Sequence, residues 1–265
     1  MYSPYQLAKK YIRYYFTALS GKGHGIHSPF VYDFICKVLN DRKKYDCYHD
    51  IELVRKKFLN NSSQIKVMDF GAGSAVLSGK ERSISAIASS SLKPAKYAQL
   101  LFRMVQYYRP KRVVELGTSL GTTAAYLASG NPAASVFTFE GDELLSGLAS
   151  DTMQQLHINN VNHITGNFGT TLPAFLQDTS VPDFVFIDGN HQEAATLEYF
   201  KLFKARATPS TILVFDDIHW SKGMENAWSV IQQDPAVTLS IDLFFLGIIY
   251  FNADINHKQQ FVLRF

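Results

Sequence analysis

Short apolar runs alternate with helical segments from Arg109 to the end of the chain, and this alternation restricts the folds open to it. The runs are rich in β-branched and aromatic residues and are bounded by turn residues; they are "RVVEL", "SVFTFE", "DFVFID" and "TILVFD". Between them, apolar residues such as Tyr199 and Phe203 recur at helical spacing. Strands buried on both faces and separated by helices predict an α/β protein with a doubly wound, mostly parallel sheet.

A different pattern occupies the amino-terminal third. Apolar positions at helical spacing predict helices over residues 5–19, in "SPFVYDFICKVL" with Ser28 as N-cap, and in "IELVRKKFL". Residues 1–60 contain eleven Lys and Arg but only five Asp and Glu, so positive charge is concentrated there. We therefore expect a mainly helical cap region over residues 1–94 and a second domain over residues 95–265.

The size and composition of the chain exclude several classes of protein. With 265 residues, 46% of them apolar, it can bury a full hydrophobic core. Its two cysteines, Cys36 and Cys47, have no metal-binding spacing and are too few for a disulfide framework. The amino terminus lacks the features of a signal peptide, and no apolar run approaches the ~18 residues of a membrane span. These features predict a cytoplasmic protein with no membrane partner.

Two segments have the form of an apolar strand followed by a glycine turn: "VMDFGAGS" at 67–74 and "VVELGTSLGTT" at 113–123. A cofactor turn in a doubly wound fold leads into a helix and then a strand ending in an acid, which binds ribose hydroxyls. The second segment meets this test, since Glu140 ends "SVFTFE". The first does not, because a serine-rich and then helical stretch follows it, where no strand is expected. We interpret it as a turn, or as a loop over the active site, formed around Asp69, Gly71 and Gly73.

The spacing of the glycines excludes two other kinds of cofactor loop. Gly117 and Gly121 do not form the G-x-G-x-x-G pattern of dinucleotide-binding proteins, and the G-K-[ST] of a phosphate loop is absent. "VVELGTSLGTT" instead resembles the first motif of class I S-adenosylmethionine-dependent methyltransferases, in the E-x-G-x-x-x-G form of the catechol and caffeoyl-coenzyme A O-methyltransferases. The resemblance spans residues 95–250. It implies a Rossmann-like, seven-stranded sheet and S-adenosylmethionine as cofactor.

The same resemblance implies a set of cofactor contacts. Glu140 would bind the ribose, and "GNF" after the third strand would lie along the adenine. The threonines at the start of the next helix would hold the methionine carboxylate, with Thr123 the better candidate by family position, because a helix amino terminus suits an anion. The expected cofactor residues are Glu115, Gly117, Thr118, Ser119, Gly121, Thr122, Thr123, Glu140, Gly141, Asn167, Phe168 and Asp188.

Acidic residues also end two later strands, in "FIDGNH" at 186–191 and "VFDDIH" at 214–219. Because the carboxyl ends of parallel strands meet at one edge of a sheet, Asp188, Asp216 and Asp217 are expected to converge. Carboxylates grouped in this way favour a hard cation such as Mg²⁺. In the catechol group the metal ligands are an Asp and an Asp-Asn pair at these positions. The resemblance therefore implies the same ligand positions here, with Asp217 in place of the Asn.

His191 is the expected catalytic base, and Asp188 is expected to contribute to catalysis as well. Methyl transfer needs a nucleophile about 3 to 3.5 Å from the methyl carbon and a group that accepts its proton. A histidine titrates near neutral pH, and His191 stands where the catechol group carries a catalytic lysine. "DGNH" also resembles the D-G-x-H motif of bacterial sugar and macrolide O-methyltransferases, which likewise use a metal.

Several of the candidate residues could have a purely structural role instead. Aspartates at strand ends often cap helices or form turns, and His191 has the alternative of an ordinary surface residue. His219 is interpreted as a packing residue rather than a ligand. The segment "GKGHGIHSPF" is either a lid that carries His24 or His27 to the cleft or a loop that docks the helices. The terminal "QQFVLRF" either adds a strand or packs on another subunit of a homodimer.

These observations predict an enzyme that transfers a methyl group from S-adenosylmethionine to a hydroxyl of a small molecule, assisted by Mg²⁺. Two alternatives stay open: an RNA methyltransferase, favoured by the basic amino-terminal third, and a protein that binds S-adenosylmethionine without catalysis. Against the first, the N-P-P-Y and D-P-P-Y signatures and a Pro-Cys setting are absent from the sequence. The expected partner is therefore a small-molecule acceptor and not a nucleic acid.

Overall fold

The computed structural model describes residues 1–68, 80–178, 182–255 and 257–265. The helices are α1 (Pro4–Thr17), α2 (Pro29–Phe34), α3 (Asp46–Leu59), α4 (Ile84–Ser91), α5 (Ala95–Tyr108), α6 (Thr122–Gly130), α7 (Glu143–Gln155), α8 (Phe168–Asp178), α9 (Glu193–Lys204) and α10 (Lys222–Gln233). The strands are β1 (Gln64–Val67), β2 (Lys80–Ser83), β3 (Arg112–Leu116), β4 (Ser135–Glu140), β5 (Val161–Thr165), β6 (Phe184–Ile187), β7 (Ile212–Asp216), β8 (Leu239–Asp242), β9 (Leu246–Tyr250) and β10 (Gln259–Val262). A π-helical turn over Ile35–Leu39 continues α2.

The chain divides into two compact units. The first unit combines Met1–Asp41 with Val181–Phe265, and the second is Arg42–Ser180. The boundary expected at residue 94 coincides with neither limit of these units. The division into a cap over residues 1–94 and a domain over residues 95–265 therefore stays a prediction.

The second unit contains parallel strands in the order β3-β4-β5. Its core is formed where α5 and α6 pack together, around Phe102, Ala124, Tyr126 and Met153. Helix α5 ends at Arg109, which adopts a left-handed conformation with φ of 51°. The strand–helix alternation predicted from the apolar runs is present in this unit as expected.

The expectation that no strand follows the first glycine segment is wrong. Strand β2 pairs with β1 in an antiparallel hairpin, with Gln64 opposite Ser83. The strand was missed because "KERS" is polar throughout and shows no apolar alternation. The serine-rich stretch after it is helix α4, whose N-cap Ser83 accepts a hydrogen bond from the N–H of Ala86. The turn predicted around Asp69, Gly71 and Gly73 lies outside the described residues.

The first unit contains strands in the order β10-β8-β9-β7-β6. Strands β6 and β7 are parallel, whereas β9 is antiparallel to both β7 and β8. The terminal "QQFVLRF" contributes β10, which pairs in parallel with β8 and adds a strand to the seven that were expected. Helix α10 buries the face predicted from its spacing, formed by Met224, Ala227, Trp228 and Ile231.

Helix α1 is anchored in the first unit by aromatic packing. Ser3 and Gln6 form a capping box at its start, with Pro4 in the first turn. The ring of Tyr11 meets Phe244 edge-on at 5.1 Å, and Tyr14 lies 5.2 Å from the same ring. After the helix, Leu19 forms a parallel bridge with Leu263 at the end of β10. The amino and carboxyl ends of the chain are thereby joined.

Both units are built from mostly parallel strands with intervening helices, so the predicted α/β class is confirmed. Across the described ranges, no helix combines the length and the apolar character needed to cross a membrane.

Candidate functional site

The glycine segment at 113–123 forms a tight turn between β3 and α6. Gly117 and Gly121 have φ angles of 103° and 80°, a conformation that glycine adopts without steric cost. The N–H groups of Gly117 and Thr118 both donate to the carbonyl of Phe139, at 3.0 and 3.1 Å. A Cβ on Gly121 would lie 3.0 Å from the backbone of Ala149. The turn predicted from sequence is therefore present, and Gly121 is needed both for its conformation and for its space.

Glu115 lies at the end of this strand with its carboxyl group completely buried. Thr138 donates a hydrogen bond to Oε2, and the Thr138 hydroxyl also pairs with that of Thr118. Oε1 has no hydrogen-bond partner within the described part of the chain. Burial raises the pKa of Glu115 to about 8, and the charge of Glu140 contributes to the rise, while the Thr138 hydrogen bond opposes it. Glu115 is therefore largely protonated at neutral pH.

Glu140 ends β4 and connects the two neighbouring turns. One carboxylate oxygen accepts the N–H of Ser119 at 2.8 Å, and the other accepts the N–H of Asp142 at 3.1 Å. Burial raises the pKa of Glu140, and hydrogen bonds from the backbone, including Gly141, reduce the rise. Each carboxylate oxygen keeps a further lone pair, so a hydroxyl donor such as a ribose can still bind.

The start of α6 has the features of an anion site. Its N-cap is Gly121, which supplies no side-chain cap. Thr122 and Thr123 occupy the first turn and are buried, and the Thr122 hydroxyl has no hydrogen-bond partner among the described residues. The first N–H groups of a helix have no partner within the helix, and together with the helix dipole they favour a carboxylate. Two buried polar atoms, the hydroxyl oxygen of Thr122 and Oε1 of Glu115, thus have no hydrogen-bond partner among the described residues. Such atoms fit a polar cofactor at the turn.

Asn167 and Phe168 lie at the start of α8, and Asn167 caps that helix. Its side-chain oxygen accepts the N–H of Gly169 at 2.7 Å, and its carbonyl accepts the N–H of Thr171 at 3.0 Å. The ring of Phe168 meets Phe139 edge-on at 6.3 Å. The structure thus gives both residues local roles, and their contact with an adenine stays a prediction.

In the first unit, three side chains with metal-binding atoms converge. Register pairs Ile187 with Phe215, so Asp188 and Asp216 leave the sheet at the same edge. One ligand atom from each of Asp188, His191 and Asp216 lies within 4.8 Å of the others. Asn190 adopts a φ of 53°, and the turn that it forms brings Nε2 of His191 to 3.6 Å from Oδ1 of Asp188. Two carboxylates and an imidazole form a donor set that suits a divalent cation.

Asp217 does not belong to this group among the described residues. Its backbone is left-handed, with φ of 53°, and its N–H donates to the carbonyl of Phe245 at 2.7 Å. The structure thus brings His191, predicted as a base, together with Asp188 and Asp216. Metal binding by Asp217 stays a prediction.

Several known proteins are similar to this chain in sequence or in fold. Residues 114–218 match the family model described as a methyltransferase domain. The O-methyltransferase from Bacillus cereus, solved with S-adenosylhomocysteine, is 18% identical, with a TM-score of 0.57 over 83% of this chain and 97% of that one. The O-methyltransferase TomG from Streptomyces achromogenes, of tomaymycin synthesis and solved with S-adenosylmethionine, is 16% identical, with a TM-score of 0.56 over 83% and 94%.

A third solved structure covers more of the chain. The methyltransferase PaMTH1 from Podospora anserina, bound to S-adenosylhomocysteine, is 12% identical, with a TM-score of 0.59 over 94% of this chain and 97% of that one. The chain has the class I methyltransferase fold that its glycine motif implied.

One polar network, just after the residues that match the family model, was not predicted from the sequence. The ring of His219 lies between two carboxylates, with Nε2 2.9 Å from Asp242 and Nδ1 3.1 Å from Glu225. Glu225 also accepts hydrogen bonds from the Tyr2 hydroxyl at 2.7 Å and from Lys10 at 2.9 Å. His219 stacks on Phe244 as well, which agrees with its interpretation as a packing residue.

The charges of this network shift its titration. Burial lowers the pKa of His219, but the hydrogen bonds and charges of Asp242 and Glu225 outweigh burial, so this pKa lies above its usual value. Burial raises the pKa of Glu225, but hydrogen bonds from Tyr2, Lys10 and His219 outweigh it, so this pKa is lowered. The network therefore holds α1 through charged hydrogen bonds.

Elements before residue 114 also contact the glycine turn and the loop after β4 in the second unit. The hydroxyls of Ser91 and Ser119 are 2.7 Å apart, and the N–H of Met68 donates to Asp142 at 2.6 Å. No motif in the sequence indicated these contacts, because serines and backbone groups carry no pattern of their own. Met68 directly precedes the "DFGAGS" segment in the chain.

The "GKGHGIHSPF" segment is a docked loop. The N–H of Leu19 donates to Val262, and a Cβ on Gly21 would lie 2.1 Å from the carbonyl oxygen of Arg264. His24 and His27 are both exposed. The docking alternative is thus present in the structure, while closure of the loop as a lid stays a prediction.

Proposed function

We propose that this protein transfers a methyl group from S-adenosylmethionine to a hydroxyl of a small molecule, with a divalent cation, Mg²⁺ in the first instance, at Asp188, Asp216 and His191. The observation that carries the proposal is the convergence of these three side chains within a chain whose residues 114–218 match a methyltransferase domain. The metal and the acceptor go beyond the shared fold.

The second unit would bind the cofactor through its glycine turn. Glu140, already positioned by the N–H groups of Ser119 and Asp142, would accept the ribose hydroxyls. Thr122 and Thr123 at the uncapped start of α6 would hold the methionine carboxylate. The protonated carboxyl of Glu115 keeps the turn in place through Thr138 and Thr118. These contacts support binding of a molecule that has a carboxylate at one end and two neighbouring hydroxyls at the other, as S-adenosylmethionine has.

The first unit would activate the acceptor. Asp188 and Asp216 would hold a divalent cation, which would supply the charge that lowers the pKa of an acceptor hydroxyl. His191 accepts the acceptor's proton at a ring nitrogen or serves as a third ligand. The acceptor oxygen then forms the new O–C bond as the S–C bond of the sulfonium breaks, so the protein's task is placement and proton removal. Placement can contribute on the order of 7 to 11 kcal/mol.

Calorimetric titration tests both halves of the proposal. S-adenosylhomocysteine is titrated into the protein with Mg²⁺ and again with a chelator, and Mg²⁺ is titrated separately. The variants are Asp216→Asn, which removes a proposed ligand with the same shape, and Asp217→Asn as the matched control next to it. We expect micromolar cofactor binding in all three proteins and a metal site that disappears only in Asp216→Asn.

A labelled methyl-transfer assay on catechol-type and sugar hydroxyl acceptors completes the test. Cofactor binding without a metal site would retain the methyltransferase and remove the metal from the mechanism. Tight cofactor binding without turnover on any acceptor would favour the non-catalytic alternative. Absence of cofactor binding would overturn the proposal as a whole.

A further inference from the structure

Helix α1 has an apolar face that nothing in the described structure covers. Tyr5, Ile12 and Phe16 are 78%, 57% and 78% exposed. Their spacing of seven and four residues places them on one side of the helix. The opposite side carries Tyr11 and Tyr14, which pack on Phe244. The exposed set, called the α1 stripe here, is therefore a second apolar face and not part of the core.

The apolar patch extends beyond the stripe. Leu19 and Val262 are both exposed and are joined by a hydrogen bond from the Leu19 N–H to the Val262 carbonyl. Tyr15 is also exposed, and the guanidinium of Arg264 lies 4.6 Å from its ring centroid. Large apolar side chains thus continue from α1 to the edge strand β10. A contiguous exposed patch of this kind marks an interaction surface.

The charges along the stripe have one sign. Lys9 and Arg13 are exposed on the edge of the stripe, one helical turn apart, and Lys22 is exposed in the following loop. Residues 1–32 contain no Asp or Glu. Lys10 differs from these cations, because it turns to the other side of the helix and pairs with Glu225 at 2.9 Å. The stripe is therefore bordered by cations that have no acidic neighbour in their own segment.

We propose that the α1 stripe docks on an anionic phospholipid surface. Apolar and aromatic side chains bordered by Lys and Arg are the composition of a helix that lies in the membrane interface. The apolar groups enter the headgroup boundary, while the long stems of Lys9 and Arg13 keep their charges at the lipid phosphates. Such a helix lies on the bilayer and does not span it. This inference departs from the sequence expectation of no membrane partner.

The charge pattern argues against two other occupants. A second copy of the chain would bring Lys9, Arg13 and Lys22 against their own equivalents, with no acid in this segment to pair with them. A nucleic acid would use the cations but would leave Ile12 and Leu19 without a role, since neither stacks on bases. An anionic lipid surface uses both the charges and the apolar side chains.

The helix is already fixed in the orientation that docking needs. The hydrogen bonds of Tyr2 and Lys10 to Glu225 and the packing of Tyr11 hold its inner face. Docking therefore requires no folding of α1, and substitutions on the exposed face leave these contacts unchanged. This property makes the stripe testable without loss of the fold.

The test is sedimentation of the full chain with lipid vesicles. Wild type is mixed with phosphatidylcholine vesicles and with vesicles that contain about 30% phosphatidylglycerol, at about 0.1 M salt. We expect binding to the anionic vesicles to be about tenfold stronger than to the neutral ones. The double variants Ile12→Ser/Phe16→Ser and Lys9→Glu/Arg13→Glu should each weaken it by about tenfold or more.

Two matched double variants serve as controls, with circular dichroism as a check of the fold. Leu144→Ser/Val230→Ser removes two comparably exposed apolar residues elsewhere, and Lys201→Glu/Arg206→Glu makes the same change of charge on and after α9. Both should bind vesicles as wild type does. Failure of wild type to bind anionic vesicles, or equal losses in the controls, would overturn the proposal.

Two further results would assign the stripe to another occupant and overturn the lipid proposal. The first is a dimer in sedimentation velocity that Ile12→Ser/Phe16→Ser dissociates. The second is RNA binding that Lys9→Glu/Arg13→Glu abolishes and Ile12→Ser/Phe16→Ser leaves intact. Because vesicle binding does not involve the cofactor, its failure would leave the proposed methyl transfer untouched.

Discussion

Nε2 of His219 lies 2.9 Å from Oδ2 of Asp242, and this pair joins the end of β7 to the end of β8. Asp242 is buried and also accepts hydrogen bonds from the indole N–H of Trp228 at 3.3 Å and from the N–H of Phe244 at 2.8 Å. The carboxylate thus fixes the turn whose Phe245 carbonyl accepts the N–H of Asp217. A substitution of Asp242 should therefore destabilise this edge of the first unit.

We expect Asp242→Ala to lower the free energy of unfolding by about 3 to 5 kcal/mol, because it leaves buried donors and the imidazole of His219 without their partner. Urea denaturation followed by circular dichroism measures the change. Asp33→Ala is the control, since Asp33 and Lys37 form an exposed pair one helical turn apart. Its effect should stay below about 0.5 kcal/mol. Similar losses for both variants would contradict the role assigned to Asp242.

Gly121→Ala should damage the cofactor turn. The new Cβ would lie 3.0 Å from Ala149, and an alanine at φ of 80° is strained, so we expect a stability loss on the order of 2 kcal/mol. Affinity for S-adenosylhomocysteine, measured by calorimetry, should fall by about tenfold or more. Gly147→Ala is the control in α7, where a Cβ meets nothing within 4 Å. It should stabilise the helix by up to about 1 kcal/mol and leave cofactor affinity unchanged.

The glycine turn after β3 could be predicted from the sequence because its determinants are local. Glu115, Gly121 and Glu140 fall within one strand–turn–helix–strand unit, whose glycine spacing and periodicity are visible in the chain itself. The network around His219 has no such pattern, because Tyr2 and Glu225 meet across 223 positions. Contacts of that kind depend on the packing of α1, which periodicity does not specify.

The group formed by Asp188, His191 and Asp216 was predicted only in part, for a similar reason. Asp188 and Asp216 were expected to converge because parallel strands bring their ends together, and register confirms that they leave the same edge. The position of His191 depends instead on the left-handed Asn190 in the turn after Asp188. A backbone conformation of this kind is set by the whole turn, so the residue type alone could not place His191 beside the carboxylates.

Glu115→Gln should change how stability depends on pH. The carboxyl of Glu115 titrates near 4.5 in the unfolded chain and at about 8 in the folded protein. The favourable contribution of this carboxyl group to stability is therefore complete below its pKa in the unfolded chain. It is lost as the pH rises through its pKa in the folded protein. Relative to wild type, Glu115→Gln should gain stability between pH 5 and pH 8, with a slope of up to about 1.4 kcal/mol per pH unit.

Urea denaturation at a series of pH values measures this slope. Glu198→Gln, at an exposed position on α9, is the control and should show a constant difference from wild type over the same range. A flat difference for Glu115→Gln would mean that its carboxyl is ionised in the folded protein, and the protonated form assigned to the cofactor turn would be wrong.

His191→Ala should change the relative affinity for different metals more than it lowers the affinity for Mg²⁺. An imidazole nitrogen favours later transition metals, whereas Mg²⁺ binds chiefly oxygen ligands and water. If Nε2 of His191 joins Asp188 and Asp216 as their distances indicate, the variant should lose Co²⁺ affinity by on the order of tenfold and Mg²⁺ affinity by much less. Calorimetry gives the affinities, and the visible spectrum of bound Co²⁺ should shift on loss of a nitrogen ligand.

Asp217→Asn is the matched control for that comparison, because asparagine tolerates the left-handed backbone at this position and Asp217 lies outside the converging group. It should change neither the Co²⁺ spectrum nor the ratio of the two affinities. If the Co²⁺ spectrum of His191→Ala is not shifted, His191 is not a ligand, and its role as the base is favoured. A shifted spectrum in Asp217→Asn would instead restore Asp217 as the ligand that the sequence predicted, since only a ligand change alters the field at the metal.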